Sequence, residues 1–370
     1  MNDHFPSETR RARAAESVPA LRGAFTALVT PFDDDGAVDD AALARLLERQ
    51  LADGIDGLVP CGTTGESPTM TPAEREHVIA AAVEAAHRWT SHGGTAASGR
   101  RPLVVAGTGT NDTAATIRAT RRAAELGADA ALVVTPYYNR PDQRMLAAHF
   151  SAVADEGGLP IVVYNVPSRT GANVEADTTL RLAEHPRVVA VKEASGNLEQ
   201  IATIIRDRPS GFSVMAGDDA WTLAVLAMGG DGVVSVASNE IPGEMAALCA
   251  AARDGDWVRA RALHDRWLPL FRANFRGGPN PVPVKAALSM MGLIRDSLRQ
   301  PLLPLDQPAR ERLASVLSDA GLLPADDTAA EVATAGATVP GRRTTGGSAG
   351  QHRSPAPAPA AAASIVGGRA

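Results

Sequence analysis

Eight times between about Leu21 and Arg253, a short run of β-branched and apolar residues gives way to a longer stretch of helical periodicity, and few folds accommodate that alternation. The strand-like runs begin near Ala24, Ile55, Leu103, Ala130, Pro160, Val188, Phe212 and Gly232. Apolar residues then recur at helical spacing, as in Ala41 to Leu51 and Ile201 to Ile205, so the period changes from 2 to 3.6 within each unit. Strand, return helix and next strand in this order predict parallel pairing, because a parallel neighbour is reached only by a long crossover. Eight units in about 230 residues fit a closed (β/α)8, or TIM, barrel. A doubly wound sheet usually stops at five or six strands and carries its glycine fingerprint early.

The interval between the second and third runs is the longest, and its surplus is Ser91 to Arg101, a Gly/Ser/Thr/Arg stretch that reads as an inserted surface loop. Further helical patterns follow the eighth unit, at Trp257 to Asn274, Pro283 to Met291 and Pro308 to Ala320. They predict a C-terminal helical appendage. Beyond about Ala325 the sequence collapses to Ala, Gly, Thr, Pro and Ser without an aromatic residue, which predicts disorder. The expected organisation is an N-terminal disordered extension over 1–20, the barrel over 21–253, helices over 254–323 and a disordered tail over 324–370.

Composition removes several classes of function. A net charge of −6 leaves no basic footprint for nucleic acid, and no apolar run approaches the length of a membrane span. Arg10-Arg11 is not followed by an apolar segment, which argues against export. Cys61 and Cys249 lack metal-ligand spacing and are expected to be free thiols in a reducing cytoplasm. Small molecules remain as the expected partners.

Of 36 basic residues only two are lysines, Lys192 and Lys285. Lys192 follows the apolar run Val188-Val189-Ala190-Val191. Arginine stays protonated at any working pH, whereas a lysine among apolar side chains can lose its proton and act as a nucleophile. In a barrel the active site lies at the C-terminal ends of the strands. There the sequence offers Gly62-Thr63-Thr64-Gly65-Glu66-Ser67 after strand two, Thr135-Pro136-Tyr137-Tyr138-Asn139 after strand four and Tyr164 to Arg169 at strand five. Strand six carries Lys192-Glu193, strand seven ends in Gly217-Asp218-Asp219, and strand eight runs through Val233-Val234-Ser235.

Each of these has a plain structural reading beside the functional one. Lys192 could reach to solvent or pair with Glu193; as a Schiff-base amine it needs apolar walls and a hydroxyl acid/base, which Tyr164 on the adjacent strand supplies. Gly62 to Ser67 could be an ordinary turn; its amides and threonine hydroxyls also suit a small carboxylate. Gly107-Thr108-Gly109 only weakly echoes a nucleotide loop. Asp218-Asp219 has no accompanying His or Glu cluster for a metal and is read as helix capping. Arg169 is either a surface arginine or a fork for a second carboxylate.

Six blocks in order, Gly62 to Ser67, Ala106 to Gly109, Thr135 to Pro141, Tyr164 to Gly171, Val191 to Gly196 and Asn280 to Lys285, resemble the dihydrodipicolinate synthase family of pyruvate-dependent barrel lyases, from about Ala24 to Leu323. The resemblance implies that Lys192 forms an imine with pyruvate and that Tyr164 moves protons there, in a relay with Thr63 and Tyr138. It implies that Thr64 and Val234 hold pyruvate and that Arg169 receives the carboxylate of L-aspartate 4-semialdehyde. It also implies condensation to 4-hydroxy-tetrahydrodipicolinate, on the diaminopimelate route to lysine, with no metal or organic cofactor. Tyr138 would reach the neighbouring subunit of a homo-oligomer, commonly a dimer of dimers, and Lys285 would be structural, at a helix start. Pro72, Arg75 and Ala115 stand where lysine-inhibited members carry histidines and a glutamate, so feedback by lysine is expected to be weak or absent. Related readings are an aldolase of N-acetylneuraminate or a 2-keto-3-deoxy sugar acid, which should lack Arg169, and a keto-acid sensor without turnover.

Overall fold

The computed structural model describes residues 20–323; the expected disordered extension, apart from Ala20, and the expected tail lie outside the described residues. Eight parallel strands close in sequence order: β1 (Gly23–Ala27), β2 (Gly57–Val59), β3 (Leu103–Gly107), β4 (Ala130–Val134), β5 (Ile161–Asn165), β6 (Val188–Glu193), β7 (Ser213–Ala216) and β8 (Gly232–Ser235). Pairing of Gly23 with Gly232 through Thr26 with Ser235 joins the last strand to the first. The (β/α)8 barrel predicted from the alternation is therefore the fold. The strands begin within two residues of the expected positions. Just before β2, the carboxylate of Asp56 adds to its backbone bonds with Ala24 O and Leu103 N, accepting from Ala24 N at 2.9 Å and Ser98 N at 3.3 Å.

The helices are α1 (Asp40–Ala52), α2 (Pro72–Ser91), α3 (Thr113–Glu125), α4 (Gln143–Glu156), the single turn α5 (Pro167–Thr170), α6 (Ala176–Ala183), α7 (Leu198–Asp207), α8 (Thr222–Ala227), α9 (Pro242–Arg253), α10 (Trp257–Ala273), α11 (Val282–Met290) and α12 (Gln307–Asp319). Their starts follow from capping side chains that satisfy otherwise orphaned amides. Asp39, Asp112, Asp142, Asn197 and Asp306 each accept from an amide in the first turn, and Thr71 with Glu74 forms a reciprocal capping box at α2. The last three helices are the predicted appendage.

Two hydrophobic layers hold the barrel. Side chains pointing inward, among them Phe25, Val59, Leu132, Val162, Ala190 and Met215, fill its interior. Those pointing outward, such as Leu58, Val104, Val133, Val163 and Val191, pack under the helices. Gly57 makes room for the Phe25 ring: a Cβ there would lie 2.2 Å from it. The Ser91–Arg101 stretch only partly matches the surface loop expected. Helix α2 runs to Ser91, and the remainder folds back under the barrel floor, with Ala96 buried and Ala97 N donating to Gly54 O at 2.8 Å.

The segment after β8 carries an acid without a counter-ion in direct contact among the described residues. Glu240 is fully buried; its Oε2 accepts from Asn274 Nδ2 at 2.6 Å, and its Oε1 has no partner among the described residues. Burial, with the nearby Asp219 charge adding to it, pushes its carboxyl well above the usual range. A carboxyl raised in the fold contributes stability that is complete below its unfolded pKa and is lost as pH rises toward its folded pKa. In Glu240→Gln this loss should vanish. Denaturant unfolding is expected to show the variant gaining on the parent as pH rises above about 5, by up to about 1 kcal/mol per pH unit. Parallel pH slopes would contradict a buried, proton-retaining Glu240.

Candidate active site

Alternation along β6 decides which way its polar side chains face. Ala190 and Lys192 point into the barrel, whereas Val191 and Glu193 point out. Glu193 is buried behind the strand, accepting from Asn165 Nδ2, Ser195 N and Gln200 Nε2; burial raises its carboxyl, opposed by these donors. It is therefore not the partner of Lys192. Register sets Tyr164 directly beside Lys192, and the amine lies 4.2 Å from the centroid of the Tyr164 ring. Both residues are 5% exposed. Thr135 anchors this end of β5, donating through both its amide and its hydroxyl to Tyr164 O at 2.9 Å.

Two chambers flank Tyr164, Val166 and Arg169, which line both. One, of about 300 Å³, contains Lys192, Thr64, Asp218, Phe275 and Asn280. The other, of about 230 Å³, contains Thr63, Ser67, Arg75 and Tyr137. Arg169 stands on α5 with no carboxylate partner among the described residues, and its Nη2 donates to Asn280 O at 3.3 Å.

The loop after β2 is held in a tight and partly strained shape. Cys61 and Glu66 take positive φ values of 58° and 54°, a region that costs a residue with a Cβ about 1 kcal/mol or more. Successive turns use the amides of Gly65 and Glu66, which donate to Gly62 O and Thr63 O. The amides of Thr63 and Thr64 donate to no other described residue, so they are free for an anion. The Thr64 hydroxyl accepts from Asn280 Nδ2 at 3.0 Å. Gly107 explains the weak nucleotide-like motif: a Cβ there would strike Cys61 O at 2.1 Å, so glycine lets β3 pass beneath this loop. From below, Lys285 Nζ donates to Glu66 Oε1 at 2.6 Å and to Thr30 O at 2.9 Å, fully enclosed.

Most of the predicted residues meet here. Lys192, Tyr164, Thr63, Thr64 and Arg169 line the chambers, but Val234 lies one layer down in the barrel interior, and Val236 takes the wall position. Tyr138 does not join them within the chain: it is 89% exposed, at φ 73°. No hydrogen bond links Thr63 to Tyr164 among the described residues, so the three-residue relay is not closed in a single chain. Asp218 caps as read from the sequence, its Oδ1 accepting from Ala220 N, whereas Asp219 is not a cap: its buried Oδ2 accepts from Val236 N and Ala237 N and ties this turn to the segment after β8. The capping reading missed that Asp218 also lines the lysine chamber. Asn280 and Phe275 were missed as wall residues because they come from beyond the barrel, where strand-end logic does not look.

A closed parallel barrel with an inward amine beside a ring hydroxyl, and a guanidinium without a carboxylate partner among the described residues, has at its strand ends the groups that imine chemistry on a small oxo acid needs. The profile of the dihydrodipicolinate synthetase family matches residues 20–320, and the chain belongs to that family. It is 48% identical over 303 residues to the 4-hydroxy-tetrahydrodipicolinate synthase of Koribacter versatilis, covering 82% of this chain and 97% of that protein. Among solved structures, dihydrodipicolinate synthase from Aquifex aeolicus is 42% identical with a TM-score of 0.76, covering 82% of this chain and 99% of that one. A structure described as the first monomeric dihydrodipicolinate synthase variant is 40% identical with a TM-score of 0.77, covering 82% and 98%.

Proposed function

We propose that this chain condenses pyruvate with L-aspartate 4-semialdehyde through a Schiff base at Lys192, giving 4-hydroxy-tetrahydrodipicolinate. The observation that carries the reading is that Lys192, packed on the Tyr164 ring, and Arg169, without a carboxylate partner among the described residues, line one chamber. Pyruvate's carboxylate sits against the free amides and hydroxyls of Thr63 and Thr64, with Val234 beneath, and its carbonyl meets the Lys192 amine. Tyr164 carries protons as water leaves and the enamine forms, since general acid–base help is needed at both stages. The enamine carbon attacks the aldehyde of the second substrate, whose carboxylate lies on Arg169. The amine of that substrate then displaces Lys192 and closes the ring. The iminium is itself the electron sink, so the route needs no metal or organic cofactor.

Incubation with pyruvate and borohydride should add one pyruvate-sized mass per chain, and the enzyme should then be assayed with the semialdehyde. An adduct without turnover of the semialdehyde would favour a sugar-acid aldolase or a sensor; no adduct would overturn the Schiff base. Arg169→Ala should leave the adduct intact while lowering kcat/KM for the semialdehyde by about 100-fold, the worth of a charge-assisted pair. Equal damage to both steps would remove Arg169 from this role.

Assembly and location belong to the same reading. Tyr138 joins Thr63 and Tyr164 from a second copy, which makes the working enzyme a homo-oligomer, commonly a dimer of dimers, acting in the cytoplasm on small molecules, not on nucleic acid or membrane. The exposed, left-handed Tyr138 supports this, because strain at an outward-pointing aromatic is retained where something meets it. Feedback by lysine is weak or absent. Pro72, Arg75 and Ala115 line one cleft between α2 and α3 together with Arg118 and Arg122, and its one carboxylate, Glu76, is already held by Arg122 at 2.9 Å. Activity should persist at millimolar lysine; half-inhibition well below that would refute it.

A further inference from the structure

We propose that Glu240 is a positioning residue: through Asn274 it sets the stretch from Phe275 to Asn280, which walls the Lys192 chamber and steadies Thr64 and Arg169. The inference rests on the condensation proposed above, in which Thr64 meets pyruvate and Arg169 the second substrate. Phe275 and Asn280 both line the chamber, yet they come from the connection between α10 and α11, outside the barrel. Something must register that connection against the strand ends.

A continuous set of hydrogen bonds makes the tie. Ala27 O, at the end of β1, accepts from Asn239 Nδ2 at 2.8 Å, and Asn239 Oδ1 accepts from Val29 N at 3.1 Å. Arg49 on α1 donates to the backbone oxygens of Asn239, at 2.7 Å, and of Glu240. The Glu240 backbone is thereby fixed to the barrel rim. Its side chain, fully buried, accepts from Asn274 Nδ2 at 2.6 Å through Oε2. Asn274 ends α10, its amide donating to Leu270 O at 3.1 Å, and Phe275 follows directly. At the far end of the stretch Asn280 Nδ2 donates to Thr64 Oγ1 at 3.0 Å, and Asn280 O accepts from Arg169 Nη2 at 3.3 Å. Both ends are thus anchored, and Gly277 packs on Ala309 of α12 between them.

Stability alone does not account for this pair. Glu240 Oε1 and Asn274 Oδ1 are buried without partners among the described residues, a cost that two apolar side chains of similar volume would not carry. What a polar pair adds is direction: it forms in one arrangement, whereas apolar side chains can repack. A displacement of about 1 Å at Phe275 would carry Asn280 with it and shift the Thr64 hydroxyl and the Arg169 guanidinium from where they meet substrate. No hydrogen bond links Lys192 or Tyr164 to this network among the described residues. Loss of the tie should therefore weaken binding of both substrates and leave the chemistry at the amine nearly intact.

Glu240→Gln keeps an oxygen for Asn274 and should retain the parent's affinities. Glu240→Leu removes the acceptor, and Glu240→Leu combined with Asn274→Leu removes both polar groups and lets an apolar pair fill the space. In both, the pyruvate concentration giving half-maximal borohydride trapping and KM for L-aspartate 4-semialdehyde are expected to rise about 10-fold, with kcat lowered less than about threefold. The double variant should resist denaturant at least as well as Glu240→Leu while keeping its raised KM, a separation that a merely structural role would not give. Parent-like trapping in the double variant, or Glu240→Gln as impaired as Glu240→Leu, would overturn the positioning role. Trapping reads that role without the second substrate, so a parent enzyme that forms the adduct but fails to turn over the semialdehyde would overturn the condensation alone.

Discussion

Lys192→Ala should carry no pyruvate-derived mass after borohydride and should lose activity by at least about 10⁴-fold, as when a covalent nucleophile is removed from its machinery. The expectation follows from enclosure as much as from identity. Lys192 is 5% exposed, packed against Tyr164, and the other lysine is wholly buried below the loop after β2. No second amine can therefore replace it by a small movement. Lys192→Arg should be as inactive, because a guanidinium keeps the charge but does not form an imine under working conditions. An adduct persisting in Lys192→Ala would move the covalent step elsewhere, and circular dichroism separates this from unfolding.

The largest effect on stability is expected at Lys285. Replacing it with methionine keeps most of the volume but strands Glu66, whose side chain is 1% exposed, without its cation. Breaking a buried pair from one side typically costs about 3–5 kcal/mol, mostly the penalty of an uncompensated charge. Among the described residues Glu66 then retains only Arg299 N, at 3.1 Å, as a donor. Glu66→Gln in the Lys285→Met background should recover a good part of the loss, since the charge is then gone. Denaturant midpoints for the two singles and the double measure this coupling, and additive losses would contradict it. KM for pyruvate should rise in Lys285→Met, because the pair props up the turns that present the Thr63 and Thr64 amides.

Local pattern carried the architecture far. Parallel strands buried on both faces are nearly continuous apolar runs, so each of the eight stands out against the polar helix faces and Gly-rich turns around it. What local pattern could not carry was contact across long intervals. Glu66 and Lys285 are 219 residues apart, and Asn280 reaches Thr64 across 216. Asn280 and Lys285 were legible as part of a motif, yet their function depends on α11 docking below the loop after β2, which no periodicity encodes. Asp218 shows a different limit: one oxygen caps and the other faces the chamber, and a sequence pattern can suggest either use but not their coexistence. Tyr138 was legible as an aromatic at a strand end, while its outward direction is set by a backbone twist that the sequence does not announce.

Complete enclosure of Lys285 also bears on how this protein behaves as a reagent. Of its two ε-amines only Lys192 borders a cavity, and the remaining basic side chains are guanidinium groups that ordinary acylating reagents leave untouched. Side-chain acylation of the folded chain should therefore be a single event and a lethal one, with activity falling in proportion to label incorporated at the ε-amines. That makes amine labelling a titrant of competent active sites. It also means that attachment through lysine, the usual route to immobilising an enzyme, would silence this one, and tethering should use acidic side chains instead.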